Sequence, residues 1–341
     1  MPLSKGRRSQ SWAVAFDCDG VLVDSRRSYD DAILRVTDSL TRELVGSRLP
    51  WRKIGPPLVD LLRMTGGFNN DWDTTYALTV LAGMAQNRGG HRDMAESLGR
   101  LVREMAKSRR TIGIQAVEEL VSTCDRQQRS LVAGLKAELG YPGNPPGSLL
   151  ATRFDETYYG AALFKELYGA ESTSHDGPGL IERERVLVTP STLADLSDAF
   201  SDRMALVTGR TLLATRHTLG DLVDCFDLEA STFVGDASRD SASGNERSYS
   251  KPSPLGLVKA MDSFGIGGLV YVGDSGEDVL MAERAKRLGR RVVFIAVCGT
   301  DRPKRSFFKS HGAELTLASV NDLPSALERF DLAPGPGATS T

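Results

Sequence analysis

The chain has 341 residues, of which 40% are apolar and 25% charged, and its formal net charge is −2. That is the balance of an ordinary soluble globular protein, and it argues against nucleic acid or an anionic membrane as partner. The length suits two domains, or one domain carrying a large insertion. The four cysteines, Cys18, Cys124, Cys225 and Cys298, form no close pair, which argues against a zinc cluster or a disulfide framework and fits a reducing cytoplasm. No stretch is long and apolar enough to span a membrane. Residues 1–10 are basic but lack an apolar run behind them, so they read as a frayed terminus rather than a secretory signal.

Taken in order, the first element is Trp12 to Phe16, apolar and rich in strand-formers, a buried strand. Asp17, Asp19 and Asp24 follow within eight residues, with Gly20 between them to let the chain turn. Apolar residues then recur at helical spacing: Tyr29 to Leu44, Leu98 to Met105, Ile114 to Cys124, Leu131 to Leu139 and Phe154 to Tyr168. These stripes predict the core faces of a helical domain over residues 26–179. Tyr141 to Ser148 reads as a loop between two of its helices. Within this domain the segment Gly66 to Leu78 combines two glycines and two asparagines with Trp72. Asn70 or Asp71 can cap a helix starting near Trp72.

From Glu184 the pattern alternates strand and helix. Strands are predicted at Arg185 to Val188, Met204 to Val207, Phe233–Val234, Gly268 to Val272 and Arg291 to Val297. Helices are predicted over Ser191 to Phe200, up to about Leu222, opening at Lys251-Pro252-Ser253-Pro254, and up to about Leu288. Residues 237–250 read as a polar mobile loop, and 331–341 as a disordered tail. The fold class expected is α/β: a doubly wound, Rossmann-like parallel sheet from residues 1–25 and 180–330, with the helical domain inserted.

Carboxylates at the end of a buried strand lie where open α/β sheets bind ligands, and crowded there they need a cation; oxygen ligands suit Mg²⁺. The stretch Asp17-Cys18-Asp19-Gly20-Val21-Leu22-Val23-Asp24-Ser25 resembles the first motif of the haloacid dehalogenase-like superfamily, in its DxDGxLxDS form. Thr208-Gly209 resembles the second motif, Lys251 the third, and Asp274 with Asp278 the fourth, in the GDSxxD form. The placing of the helical insertion resembles subfamily I of that group with an enlarged cap. The segment around Asn70 and Trp72 resembles one found in a small subgroup.

The resemblance implies a phosphatase. Asp17 would be the nucleophile forming an aspartyl-phosphate, and Asp19 the general acid/base. Thr208, Gly209 and Lys251 would bind the phosphoryl oxygens. Mg²⁺ would be held by Asp17, Asp19 (through its backbone carbonyl) and Asp274, with Asp278 as a further or outer ligand. Asn70, Trp72 and Arg210 are candidate substrate contacts, although Arg210 could instead pair with a surface acid. Gly235-Asp236 mimics Gly273-Asp274 but precedes Lys251, so it is read as a decoy. The expected function is Mg²⁺-dependent hydrolysis of a small-molecule phosphate ester. A sugar-phosphate mutase and a non-catalytic phospho-ligand binder share the same core residues. Dehalogenation is disfavoured because Asp19 is present, and phosphonate hydrolysis because Asp19 is not small.

Overall fold

A computed structural model describes residues 12–65, 67–68, 70–89, 94–107, 111–237 and 249–329. The expected mobile loop and tail lie mostly or wholly outside these residues, as does the expected frayed terminus. The chain divides into two compact units: one runs to Arg26 and resumes at Glu184, the other is Arg27–Arg183.

The first unit is built on a six-stranded sheet: β1 (Trp12–Phe16), β4 (Met204–Thr208), β5 (Thr232–Phe233), β6 (Gly268–Gly273), β7 (Arg291–Val297) and β8 (Leu315–Leu317). Their order across the sheet is β5-β4-β1-β6-β7-β8, and every pairing is parallel. β1 is buried throughout, and its alternate residues serve two cores. Trp12, Val14 and Phe16 pack with Leu193, Leu196 and Phe200 of α8 (Pro190–Phe200) and with Leu323 and Leu327 of α13 (Leu323–Arg329). Ala13 and Ala15 lie in the opposite core with Leu257 and Met261 of α10 (Leu255–Phe264) and with Met281 and Ala285 of α11 (Gly276–Arg287). A strand covered on both faces is continuously apolar, which is why β1 and β6 read as unbroken runs. The chain leaves β1, forms β4 and β5 on one side, then returns to form β6, β7 and β8 on the other. The carboxyl end of β1 is therefore the switch point of the sheet.

Three boundaries differ from the sequence reading. The predicted strand at Arg185 to Val188 is not in the main sheet. Arg185–Val186 (β3) pairs antiparallel with Val23–Asp24 (β2), and both β3 residues are exposed, as no central parallel strand could be. The helix after β4, α9 (Leu212–Leu219), stops at Gly220, where a 3₁₀ turn takes over to Cys225. α10 begins only at Leu255, since Pro252 and Pro254 delay it, so Lys251 lies before the helix rather than in its first turn. β8 is an additional strand, too short at three residues to register in the sequence.

The second unit contains seven α-helices among the described residues: α1 (Arg26–Leu40, its first residue assigned to the other unit), α2 (Trp51–Met64), α3 (Asp71–Gly89), α4 (Met94–Ala106), α5 (Ile114–Ser122), α6 (Arg126–Leu139) and α7 (Leu149–Tyr168). Residues 74–85 of α3 are buried on every side, so α3 is the central helix and has no apolar stripe of its own. The stripes on α4, α5 and α6 are buried as expected, including Leu98, Leu101, Val117, Leu120, Leu135 and Leu139.

Candidate active site

Asp17 follows β1 directly, and its N–H donates to the Val272 carbonyl of β6 at 2.8 Å. The chain then winds around the carbonyl of Cys18, which accepts from Leu22 and Val23 at 2.8 and 3.0 Å. The Cys18 thiol is fully buried, as a small core side chain, and burial pushes its pKa far up. The turn closes where Gly20 takes φ +71°; a Cβ there would fall 2.2 Å from Asp274 Oδ2. Gly20 therefore lets the Asp274 carboxylate lie directly over the first-motif loop.

Asp274 follows β6, four residues before Asp278 in the first turn of α11. Asp278 is wholly buried. Its Oδ2 accepts from the Asp274 and Ser275 amides at 3.0 and 2.9 Å and from Ser275 Oγ at 2.7 Å; Ser275 and Asp278 together cap the helix. Its Oδ1 accepts from the Tyr271 hydroxyl at 2.6 Å and from Lys251 Nζ at 2.7 Å. Lys251 Nζ also meets Asp17 Oδ1 at 2.7 Å. The third-motif lysine thus bridges the first and fourth motifs. Lys304, near the start of α12 (Arg302–Ser310), contacts Asp274 Oδ2 at 2.7 Å.

The electrostatics follow from burial. Asp17 is 6% exposed, and burial pushes its pKa well up; Lys251 opposes this while Asp278, Asp19 and Asp274 add to it. Asp274 is raised for the same first reason, offset by Lys304. Asp278 is held low despite burial, because Lys251, Tyr271 and Ser275 favour its charged form. Burial would lower Lys251, but Asp17 and Asp278 outweigh that and hold it protonated.

The donor set fits a divalent cation. Carboxylate oxygens of Asp17, Asp274 and Asp278 lie within 4.8 Å of one another. Five acidic side chains, Asp17, Asp19, Asp274, Asp278 and Glu184, meet three basic ones, Lys251, Lys304 and Arg210. Hard carboxylate oxygens are the donor type that suits Mg²⁺. With both Asp278 oxygens already accepting from protein donors, Asp17 and Asp274 are the carboxylates freer to ligate.

The second-motif residues sit at the neighbouring strand end. Thr208 is buried at the end of β4, and its Oγ accepts from the Arg210 amide at 3.2 Å; Gly209 is exposed. Arg210 turns back into the protein. Its Nε donates to Asp19 Oδ1 at 2.8 Å, its Nη2 contacts Glu184 Oε2 at 2.6 Å, and its Nη1 donates to Thr218 at 3.1 Å. Asp236 instead accepts from the Leu212 amide at 2.8 Å and lies outside the carboxylate cluster, as expected of a decoy.

In the helical unit, Asn70 Oδ1 accepts from the Trp72 amide at 2.9 Å, so Asn70 performs the capping role at the start of α3. Trp72 Nε1 donates to the buried Asp155 at 3.0 Å. Four contributors were not legible in the sequence reading: Glu184, Thr218, Tyr271 and Lys304. Only Tyr271 carried a signal, since a tyrosine inside a buried strand must find a partner for its hydroxyl.

No protein-family model and no curated protein matches the chain. Among solved structures, it is similar to a structural-genomics target at 16% identity and TM-score 0.62, over 93% of this chain and 98% of that one. It is also similar to a phosphatase from Thermococcus thioreducens at 21% identity and TM-score 0.57, over 94% of this chain and 100% of that one. This likeness shows the fold: the chain shares with that phosphatase an α/β architecture, built here on a six-stranded parallel sheet.

Proposed function

We propose that the protein is a Mg²⁺-dependent phosphatase acting on a small phosphate monoester through an aspartyl-phosphate. The observation that carries this reading is Lys251 Nζ, 2.7 Å from both Asp17 and Asp278, at the switch point of the sheet. A cation held against a nucleophilic carboxylate suits the charge that builds up on a transferring phosphoryl group.

In the first step an Asp17 carboxylate oxygen bonds to phosphorus and the bond to the ester oxygen breaks. Asp19 gives that oxygen a proton, a transfer worth on the order of 10²–10⁴ in rate. In the second step Asp19 takes a proton from water as the water oxygen bonds to phosphorus. The bond to Asp17 then breaks, freeing inorganic phosphate. Thr208 Oγ, the Gly209 amide and Lys251 orient the phosphoryl oxygens throughout. Asp17, Asp274 and the Asp19 carbonyl would hold Mg²⁺, with Asp278 supporting them; the ion would neutralise phosphoryl charge. Four free thiols are consistent with a reducing compartment.

Phosphate release from a panel of small monoesters, with Mg²⁺, with a chelator and with Asp17→Asn, tests the reading. Release is expected to require both the ion and Asp17. Release that persists in the chelated enzyme or in Asp17→Asn would overturn it.

A further inference from the structure

We propose that Arg210 is a positioning residue for Asp19: it fixes the carboxylate that moves the proton, and it does not bind substrate. This rests on the acid/base reading of Asp19 above.

The Arg210 backbone is fixed first. Its N–H donates to Thr208 Oγ at 3.2 Å, its carbonyl accepts from Gly235 at 3.3 Å, and the next residue, Thr211, caps α9. The guanidinium is then held on three sides. Nε and Nη2 both reach Asp19 Oδ1 at 2.8 Å, Nη2 reaches Glu184 Oε2 at 2.6 Å, and Nη1 reaches Thr218 Oγ at 3.1 Å. Thr218 Oγ in turn donates to Glu184 Oε2 at 3.0 Å, closing a ring of contacts. The planar fork gives this arrangement a fixed direction that a lysine would not.

Burial decides between positioning and substrate binding. The side chains of Arg210 and Glu184 are 1% and 0% exposed, whereas that of Asp19 is 32% exposed. To reach a phosphoryl oxygen, a guanidinium only 1% exposed would have to break its contacts to Asp19, Glu184 and Thr218 together, which is strongly unfavourable. Of the three charged members of the network, Asp19 is the one that reaches solvent. Both guanidinium donors fall on Oδ1, so Oδ2 is the oxygen presented for proton transfer. Glu184 anchors the guanidinium from behind, and it is the first residue of the chain as it returns to this unit.

A residue that acts through the acid/base matters only when the leaving group needs a proton. The test compares kcat/KM for p-nitrophenyl phosphate, whose leaving group departs unprotonated, with the best alkyl phosphate of the panel. Arg210→Ala is expected to lose about 100-fold on the alkyl ester and less than about 5-fold on the aryl ester, the pattern of Asp19→Asn. Arg210→Lys should recover part of the alkyl loss. Combining Arg210→Ala with Asp19→Asn should be no worse than Asp19→Asn alone, because both remove one function. Equal losses on both esters, or losses that multiply in the double variant, overturn the inference in favour of direct substrate binding. If Arg210→Ala does not fold, Arg210→Lys and Glu184→Gln carry the same comparison; failure of all three to fold overturns it in favour of a purely structural role. If Asp19→Asn shows no leaving-group dependence, or no alkyl ester is hydrolysed, the acid/base reading itself falls, and this inference with it.

Discussion

Gly273 ends β6 against the side chain it serves. A Cβ at this position would lie 2.5 Å from Asp278 Cβ and 2.7 Å from its Oδ2. Gly273→Ala must therefore push Asp278 away from Tyr271, Lys251 and the Ser275 cap at once. The expected cost is about 2 kcal/mol of stability in urea unfolding, with loss of phosphate release at saturating Mg²⁺. Which residues were legible follows from where their partners lie. Asp17, Thr208, Lys251 and Asp274 stand at strand ends or before a helix, in an order that the sequence displays. Asp278 was legible too, but its role shifts: an acid in the first turn of a helix proves to be a five-donor hub. Lys304 and Glu184 were silent because a lone charge among surface charges gives no sign of a partner 30 residues away, as Asp274 is from Lys304. Arg210 was read as open to the substrate or paired with an acid; the structure gives it two acids, one of them Asp19.

At the scale of elements, α7 shows how a buried carboxylate can shape its surroundings. Glu156 is buried in the second unit, and the Thr173 and Ser174 amides donate to it at 2.7 and 2.9 Å, joined by both hydroxyls. Burial would raise its pKa, but these donors outweigh burial and hold it below the usual 4.5. A carboxylate lowered in the folded state contributes stability that is present above its unfolded value and lost as pH falls through its folded one. Glu156→Gln should therefore cost about 2 kcal/mol at pH 7. The gap to wild type should narrow as pH falls below about 4.5, a trend that paired thermal melts would register. The helices of this unit were largely legible, because α4, α5 and α6 each bury one face and so leave a stripe. The central helix α3 was found only through its cap, Asn70, and the strand at Arg185 to Val188 was misplaced because four apolar-leaning residues carry no record of their partner strand.

At the scale of the molecule, the sheet and the helical unit are each compact, and the main sheet is complete without Arg27–Arg183. Replacing residues 27–183 with a short Gly/Ser turn is expected to leave a core that unfolds in one cooperative step by circular dichroism and keeps its α/β signature. Loss of a cooperative transition would show that the insert is needed for the core to fold. The α/β class and the helical character of the insert were visible in the periodicities of the sequence. The order of the strands was not, because it depends on pairings between segments that lie far apart in the chain.

The pairing of β2 with β3 bears on how such an insert can be carried at all. Asp24 stands opposite Arg185, and their side chains meet at 2.5 Å, so the chain leaves and re-enters at one point. As the sheet experiences it, everything between is the loop of a hairpin. Closing a loop costs free energy that grows only with the logarithm of its length, about 0.6 kcal/mol for each doubling. The ribbon makes the size of the insert nearly irrelevant to the sheet, so its length is free to change while the carboxylate cluster keeps its geometry.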